Sequence, residues 1–313
     1  MRTFLVTGGA GFIGSHIATA LATRGDRVRV LDNLSTGFRS NLEHIADSVE
    51  LFEGDITDAD IVGKAVDGVD CVFHQAALAS VPRSVEFPMD TNHACVTGTL
   101  NILDQARRAG VRRVFYAASS SAYGDQPYAS KRENDLPAPL SPYAVAKLAG
   151  EYYCQAFYHT YGLETVGIRY FNVFGPRQDP DSPYSAVIPL FITKMLTNES
   201  PTIYGDGQQT RDFTFVENVV HGNLLAADAP KAVGHVINVA NGRTTSLLTL
   251  LASLNRLLGT EVAPIHADPR VGDVRDSLAD ITKAVNLLGY EPPVDFETGL
   301  ARSLEYYKQL VSA

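Results

Sequence analysis

Thr3-Phe4-Leu5-Val6-Thr7-Gly8-Gly9-Ala10-Gly11-Phe12-Ile13-Gly14 decides the fold. Its first five residues read as a short buried strand. The glycines then turn the chain into a helix whose apolar face runs Ile13, Ile17, Leu21. Strand, glycine loop and helix together make a phosphate cradle. Gly8 permits the tight turn, Gly11 lets the backbone approach a pyrophosphate, and Gly14 lets the helix pack close to the strand. The helix N-terminus offers unpaired N–H groups and a partial positive charge. Working outward, Gly25 leads into a second strand, Val28-Arg29-Val30-Leu31, with Asp32 at its end. Asp32 lies 18 residues past Gly14, close to the roughly 20 expected of a carboxylate that holds a ribose 2′-hydroxyl. A carboxylate there repels a 2′-phosphate, so NAD is favoured over NADP.

The same rhythm continues. Val49-Glu50-Leu51-Phe52 is a third strand, ending at Gly54-Asp55-Ile56, and Ile61 to Val69 fits the crossover helix. Asp55 suits either an adenine amino group or a helix N-cap. Cys71-Val72-Phe73-His74 is a fourth strand, followed by Ala76 and Ala77, small enough to let the backbone pass close to a cofactor. His74 reads as a packed strand-end histidine rather than a catalyst. Asn92 to Ala109 is a helix, and Val114 to Ala118 a fifth strand. This alternation predicts an α/β fold, a Rossmann-type doubly wound parallel sheet with ligands beyond the carboxyl ends of its strands. After Gly175 the alternation breaks down. Residues 1–175, joined by a returning segment at about 212–242, form the expected NAD-binding domain. Residues of about 176–211 and 243–313 form a smaller mixed α/β substrate domain, with helices at Ser246 to Leu258, Ile281 to Leu288 and Leu300 to Leu310.

Composition narrows the partners. The 313 residues are 45% hydrophobic, ample for two domains, and the net charge of −9 argues against nucleic acid or an anionic membrane. Cys71, Cys95 and Cys154 are too scattered for a disulfide frame or a metal site and read as buried hydrophobes in a reducing compartment. No apolar run approaches a membrane span, and the first strand begins too early to leave room for a signal peptide. A cytoplasmic protein without metal is expected.

Two further stretches carry chemistry. The fifth strand runs into Ser119-Ser120-Ser121-Ala122-Tyr123, and Ser141-Pro142 opens a helix containing Tyr143 and Lys147. Four residues apart, these two stand on one helix face. A cation beside a phenol favours the phenolate and lowers its pKa toward physiological pH, giving a usable general base or acid. A serine hydroxyl can hold the same oxygen. Taken alone, Tyr-x-x-x-Lys is as well explained by an exposed aromatic–cation pair.

In this order the motifs resemble the short-chain dehydrogenase/reductase superfamily, in its extended branch acting on nucleotide sugars, over essentially the full length. Arg169-Tyr170-Phe171-Asn172-Val173-Phe174-Gly175-Pro176 is similar to that branch's nucleotide-sugar signature, although Asn172 alone reads as a turn. Tyr204-Gly205-Asp206-Gly207 with Thr210-Arg211-Asp212-Phe213, and Arg270-Val271-Gly272-Asp273-Val274-Arg275, resemble its late nucleotide-binding segments. Each arginine alone reads as a surface charge; in a phosphate site its planar fork donates two hydrogen bonds at once.

The resemblance implies the site. Catalysis falls to Ser119, Tyr143 and Lys147. The cofactor is NAD, held by Gly8, Gly11, Phe12, Ile13, Gly14, Asp32, Asn33, Ser35, Gly37, Asp55, Ile56, Ala76, Ala77, Asn92, Tyr143, Lys147 and Tyr170. Substrate is held by Ala79, Ser80, Ser120, Asn172, Gln178, Ala186, Val187, Tyr204, Arg211, Arg270, Asp273 and Ser277. Dehydratases and decarboxylases of this type carry an acid beside the catalytic serine or threonine. Residues 119–123 contain none, which points to the UDP-hexose 4-epimerases. Ser277 corresponds to the position that gates the pocket, where a small residue admits a 2-acetamido group; on structure alone it reads equally as a helix-start cap. Ala79 stands where N-acetyl-specific relatives tend to have glycine, so UDP-glucose/galactose and the N-acetyl pair both stay open. The resemblance also implies a homodimer pairing helices around 92–109 and 143–159. The alternatives are a UDP-glucuronate 4-epimerase or decarboxylase, and a non-catalytic NAD-binding protein.

Overall fold

Seven parallel strands form the central sheet of the computed structural model, which describes residues 1–128, 130–182, 186–269 and 274–312. The strands are β1 (Thr3–Thr7), β2 (Arg27–Asp32), β3 (Val49–Glu53), β4 (Cys71–His74), β5 (Arg113–Ser119), β6 (Glu164–Tyr170) and β7 (Val236–Val239), in the order β7-β6-β5-β4-β1-β2-β3. The chain reverses its direction of travel between β1 and β4, and ligand crevices of doubly wound sheets open at such a point.

Period-two alternation sends successive side chains to opposite faces. Phe4, Phe73, Phe115 and Ile168 bury against α1 (Phe12–Thr23) and α7 (Val216–Asp228) through Ile17, Leu21 and Val219. On the other face Leu5, Val72, Val114 and Tyr116 meet α2 (Ala59–Val66), α4 (88–108) and α5 (Pro142–Tyr161) through Val62, Ile102, Leu103 and Phe157. The short α3 (Val81–Glu86) precedes α4, which runs through Pro88–Asn92, a π-type turn at His93–Thr97 and Gly98–Arg108. Each fully buried Leu, Ile or Phe contributes about 1.5–3 kcal/mol relative to exposure.

A separate apolar cluster lies beside the sheet. Phe174, Phe191, Phe213, Phe215, Leu250, Leu254, Leu300 and Tyr307 join α6 (Val187–Leu196), α8 (Leu247–Leu258) and α10 (Phe296–Ser312). Its strands are two or three residues long. Thr210–Arg211 lies between Thr245–Ser246 and Asp276–Ser277, and Thr202–Tyr204 pairs with Ile265–Ala267. One helix differs from expectation. α9 (Thr282–Leu288), assigned from sequence to the smaller domain, packs on the sheet side, where Ala284 and Leu288 join the cluster of Ile237 and Val239. Gly289, in a left-handed conformation, ends this helix and directs Tyr290 into the same cluster.

Candidate active site

Gly8 has φ +65°, and a Cβ on it would stand 2.7 Å from the Ala76 backbone, so the loops after β1 and β4 touch. A Cβ on Gly14 would fall 2.1 Å from the Gly8 carbonyl oxygen; only glycine lets α1 start this close to the loop. On Gly11 a Cβ would meet the Gly8 oxygen alone, at 3.2 Å, and no side chain caps α1. The first turn of the helix therefore has no side-chain cap and begins at a glycine loop that a ligand can approach closely, which fits a pyrophosphate. Gly37 packs against the Ala10 backbone and closes one side.

Asp32 is buried at the end of β2. Its carboxylate accepts N–H bonds from Ala10 at 2.9 Å and Leu34 at 2.8 Å. Each oxygen keeps a second lone pair, so the residue fits a ribose hydroxyl. Asp55 makes a turn of its own instead of capping a helix: it accepts from Thr57 N and Oγ1 at 2.8 and 2.7 Å and from Asn33 Nδ2 at 2.7 Å, while Asp58 caps α2. Ser35 donates its backbone N–H to Asn33 Oδ1, Ile56 is buried, and Asn92 is exposed at the start of the π-type turn. His74 is buried between Thr7 and Thr99, at 2.7 and 3.0 Å, and burial pushes it down to about 3. It is a neutral packing histidine, as the sequence suggests.

Tyr143 stands in the first turn of α5, whose N-cap Ser141 accepts from Ala144 N at 3.2 Å. The helix lies close on β5 because Gly150 faces Tyr116: an added Cβ would be 2.2 Å from that hydroxyl. Lys147 is buried. Its ammonium donates to Ala117 O at 2.8 Å and lies 6.0 Å from the Tyr143 ring centre. Burial pushes the Tyr143 phenol up, Cys95 adds to that, and the hydrogen bond from Ser119 pulls it back. The expectation that Lys147 lowers Tyr143 toward neutrality is therefore corrected for the isolated chain. Desolvation is the largest cause, and Lys147 is itself pushed down by burial. Ser119 closes β5 and accepts from Ser121 N at 3.2 Å and Ser121 Oγ at 2.8 Å.

Five of the residues expected to hold substrate line one pocket of about 390 Å³: Asn172, Ala186, Val187, Tyr204 and Arg211, with Phe191, Lys194, Gln209 and Leu247. Asn172 has φ +34°, so it also makes the turn that the sequence allows. Ser277 is in register with Arg211 on the neighbouring strand; it is a strand residue, not a helix cap. Ser120, Ala79 and Ser80 do not line this pocket, and Ser80 caps α3 by accepting from Arg83 N at 3.1 Å. Gln178 turns back to Val173 O at 3.2 Å. Arg270 and Asp273 lie outside the described residues.

Sequence reasoning expected Tyr170 but missed Gln75 and Asn223, which stand behind it, and the surroundings of the Asp212 carboxylate. Tyr170 shares hydrogen bonds of 3.0–3.1 Å with Gln75 and Asn223, and burial pushes it up to about 12. Asn223 is two helical turns inside α7, where nothing local marks it. Asp212 is buried beside Arg211, and burial pushes its carboxyl up to about 7 against the pull of three backbone N–H donors.

Residues 4–240 match the NAD dependent epimerase/dehydratase family. A UDP-glucose 4-epimerase of Mycolicibacterium smegmatis is 38% identical over 313 residues, spanning 98% of this chain and 99% of that one. Among solved structures, the UDP-N-acetylglucosamine 4-epimerase of Methanobrevibacter ruminantium, in complex with UDP-N-acetylmuramic acid, superposes with a TM-score of 0.95 at 39% identity, covering 99% of both chains. The UDP-glucuronic acid 4-epimerase of Bacillus cereus, with UDP-glucuronic acid and NAD, gives 0.92 at 31% identity, covering 98% of this chain and 99% of that one. The glycine cradle, the acid closing β2 and these full-length likenesses agree: the chain belongs to the NAD-dependent epimerase/dehydratase family.

Proposed function

We propose that this protein is a UDP-sugar 4-epimerase with resident NAD, interconverting UDP-glucose and UDP-galactose, UDP-N-acetylglucosamine and UDP-N-acetylgalactosamine, or both pairs. The observation that carries this is the end of β5. Ser119, Tyr143 and Lys147 converge there, and residues 119–123 supply hydroxyls but no carboxylate. The cradle of Gly8, Gly11 and Gly14 would hold NAD, which would supply a hydride acceptor with a positively charged ring. Tyr143, as phenolate, would take the proton of the sugar O4 hydroxyl as C4 is oxidised, and Ser119 would donate a hydrogen bond to the same oxygen. Lys147 adds positive charge behind the phenol and serves the ribose. With no second base to remove a proton at C5, the 4-keto sugar has one exit. It would turn about its diphosphate linkage, be reduced on its other face, and regain its proton from Tyr143.

The substrate roles expected of Asn172, Ala186, Val187, Tyr204 and Arg211 are supported by their shared pocket, and those of Arg270 and Asp273 rest on the motif. The two-part division of the chain is read in the same way, with α9 moved to the sheet side. A homodimer is supported by large apolar groups exposed on α5, on α3 and at the start of α4, namely Val145, Tyr152, Val85 and Met89, at 54–76% exposure. Among the described residues no helix is long and apolar enough to cross a membrane. Incubation with UDP-galactose and UDP-N-acetylgalactosamine, without added NAD, tests the proposal. Conversion of either is expected. Inactivity on both with NAD supplied rejects it, and carbon dioxide release from UDP-glucuronate points to a decarboxylase instead.

A further inference from the structure

Asp212 is fully buried, and among the described residues no arginine, lysine or histidine forms an ion pair with it. Its carboxylate accepts three backbone N–H bonds: Oδ1 from Asn241 at 3.0 Å, and Oδ2 from Gly242 at 3.0 Å and Ala279 at 3.2 Å. Asn241 and Gly242 directly follow the end of β7, and Ala279 lies two residues past Ser277. The backbone on either side of Arg211 grips the same segment. Thr210 N donates to Arg275 O at 3.0 Å and Asp212 N to Ser277 O at 2.7 Å. Lys131 N and O bond Leu278 O and Asp280 N from the far side, at 2.8 and 2.9 Å. Burying a carboxylate with no cation is costly, and simple packing is better served by an apolar side chain. Three convergent N–H donors are what an anion satisfies and a hydrocarbon does not.

We propose that Asp212 is a positioning residue for the nucleotide-sugar site, whose carboxylate fixes the strand carrying Ser277 against the strand carrying Arg211 and locks both to the end of the cofactor sheet. It touches neither substrate nor cofactor and acts through its two neighbours. The inference rests on the proposed substrate roles of Arg211 and Ser277.

Asp212→Asn keeps the shape but turns an amide N–H toward a backbone N–H. Three quantities separate positioning from general weakening: UDP affinity by calorimetry, NAD carried per chain, and the split between KM and kcat. The expected result is a rise of about tenfold or more in both UDP Kd and UDP-sugar KM, with kcat within about threefold and NAD content unchanged. Unchanged UDP affinity, or NAD lost in step with UDP, overturns the inference. If the variant does not fold, hydrogen exchange on the wild type decides. Slow amide exchange at Asn241, Gly242 and Ala279, slower still with saturating UDP, supports it; loop-like exchange unmoved by UDP overturns it. A wild type that binds no UDP overturns the proposed function together with this inference, whereas wild-type binding that Asp212→Asn leaves unchanged overturns the inference alone.

Discussion

The carboxyl edge of the seven-stranded sheet and the pocket beside it are assembled in opposite ways. At the edge, each functional group sits at the end of a long strand or in the first turns of a helix whose core face is fixed by many apolar contacts. Gly8 and Gly14 lie six residues apart, Tyr143 and Lys147 four. The pocket is stitched from strands of two or three residues that come from distant parts of the chain. Arg211 pairs with Ser277, and the carboxylate beside it bonds amides 29, 30 and 67 residues away. The edge, where we place hydride and proton transfer, is held rigidly, and small displacements there would be costly, while the pocket's geometry depends on a few long-range hydrogen bonds. Sugar preference is the property most easily changed in such a pocket.

Substitutions can break this contrast. The largest effect is expected at the edge. Tyr143→Phe removes the proton acceptor, so turnover falls by about 10²–10⁴-fold while UDP Kd from calorimetry stays within about twofold. A parallel loss of UDP affinity would show that edge and pocket are not separable. Next, Gly14→Ala drives a methyl group into the Gly8 carbonyl. We expect purified protein nearly free of NAD, by absorbance and chromatography, and about 1–3 kcal/mol less stable in denaturant.

A pH titration sharpens the comparison from the side of stability. His74 is neutral in the fold, held down to about 3 by burial, whereas in the unfolded chain it titrates near 6.5. Its contribution is present above pH 6.5 and is lost as pH falls toward 3, amounting to about 2 kcal/mol by pH 5. His16, pushed down to about 4 by burial, adds in the same direction. Denaturant midpoints measured from pH 7.5 to 5 should fall, and in His74→Gln the slope should flatten although the midpoint at pH 7.5 is lower.

The smallest effect belongs to the strand beside the pocket, next to Arg211. Ser277→Tyr fills the space beside Arg211, and conversion of N-acetylated sugars should fall about tenfold more than that of plain hexoses in kcat/KM. Equal losses on both would remove Ser277 from the choice of sugar.

What the sequence made legible follows the same division. The glycine loop, Asp32, β4 and the Tyr143–Lys147 pair are local patterns in which spacing alone puts the groups on one edge. Asp55 shows where locality misleads: a carboxylate just past a strand suits a cap, but Asp58 has the right register for α2. The phenol's pKa was not legible because it depends on how deeply α5 presses onto β5, a depth set by Gly150 against Tyr116. Asp212 stood inside a motif read for its arginine, and the three amides that explain it come from the turn after β7 and from the segment after Ser277.

Running the reaction in D₂O and, separately, with sugar deuterated at C4 tests the central claim most directly. Hydride removal and return within one closed site predicts that the C4 label survives in the epimerised product and that no solvent deuterium enters the ring. Loss of the C4 label, or solvent deuterium at C3 or C5, would mean that a ring proton is exchanged with solvent, contradicting a site built on Tyr143 and hydroxyl groups alone.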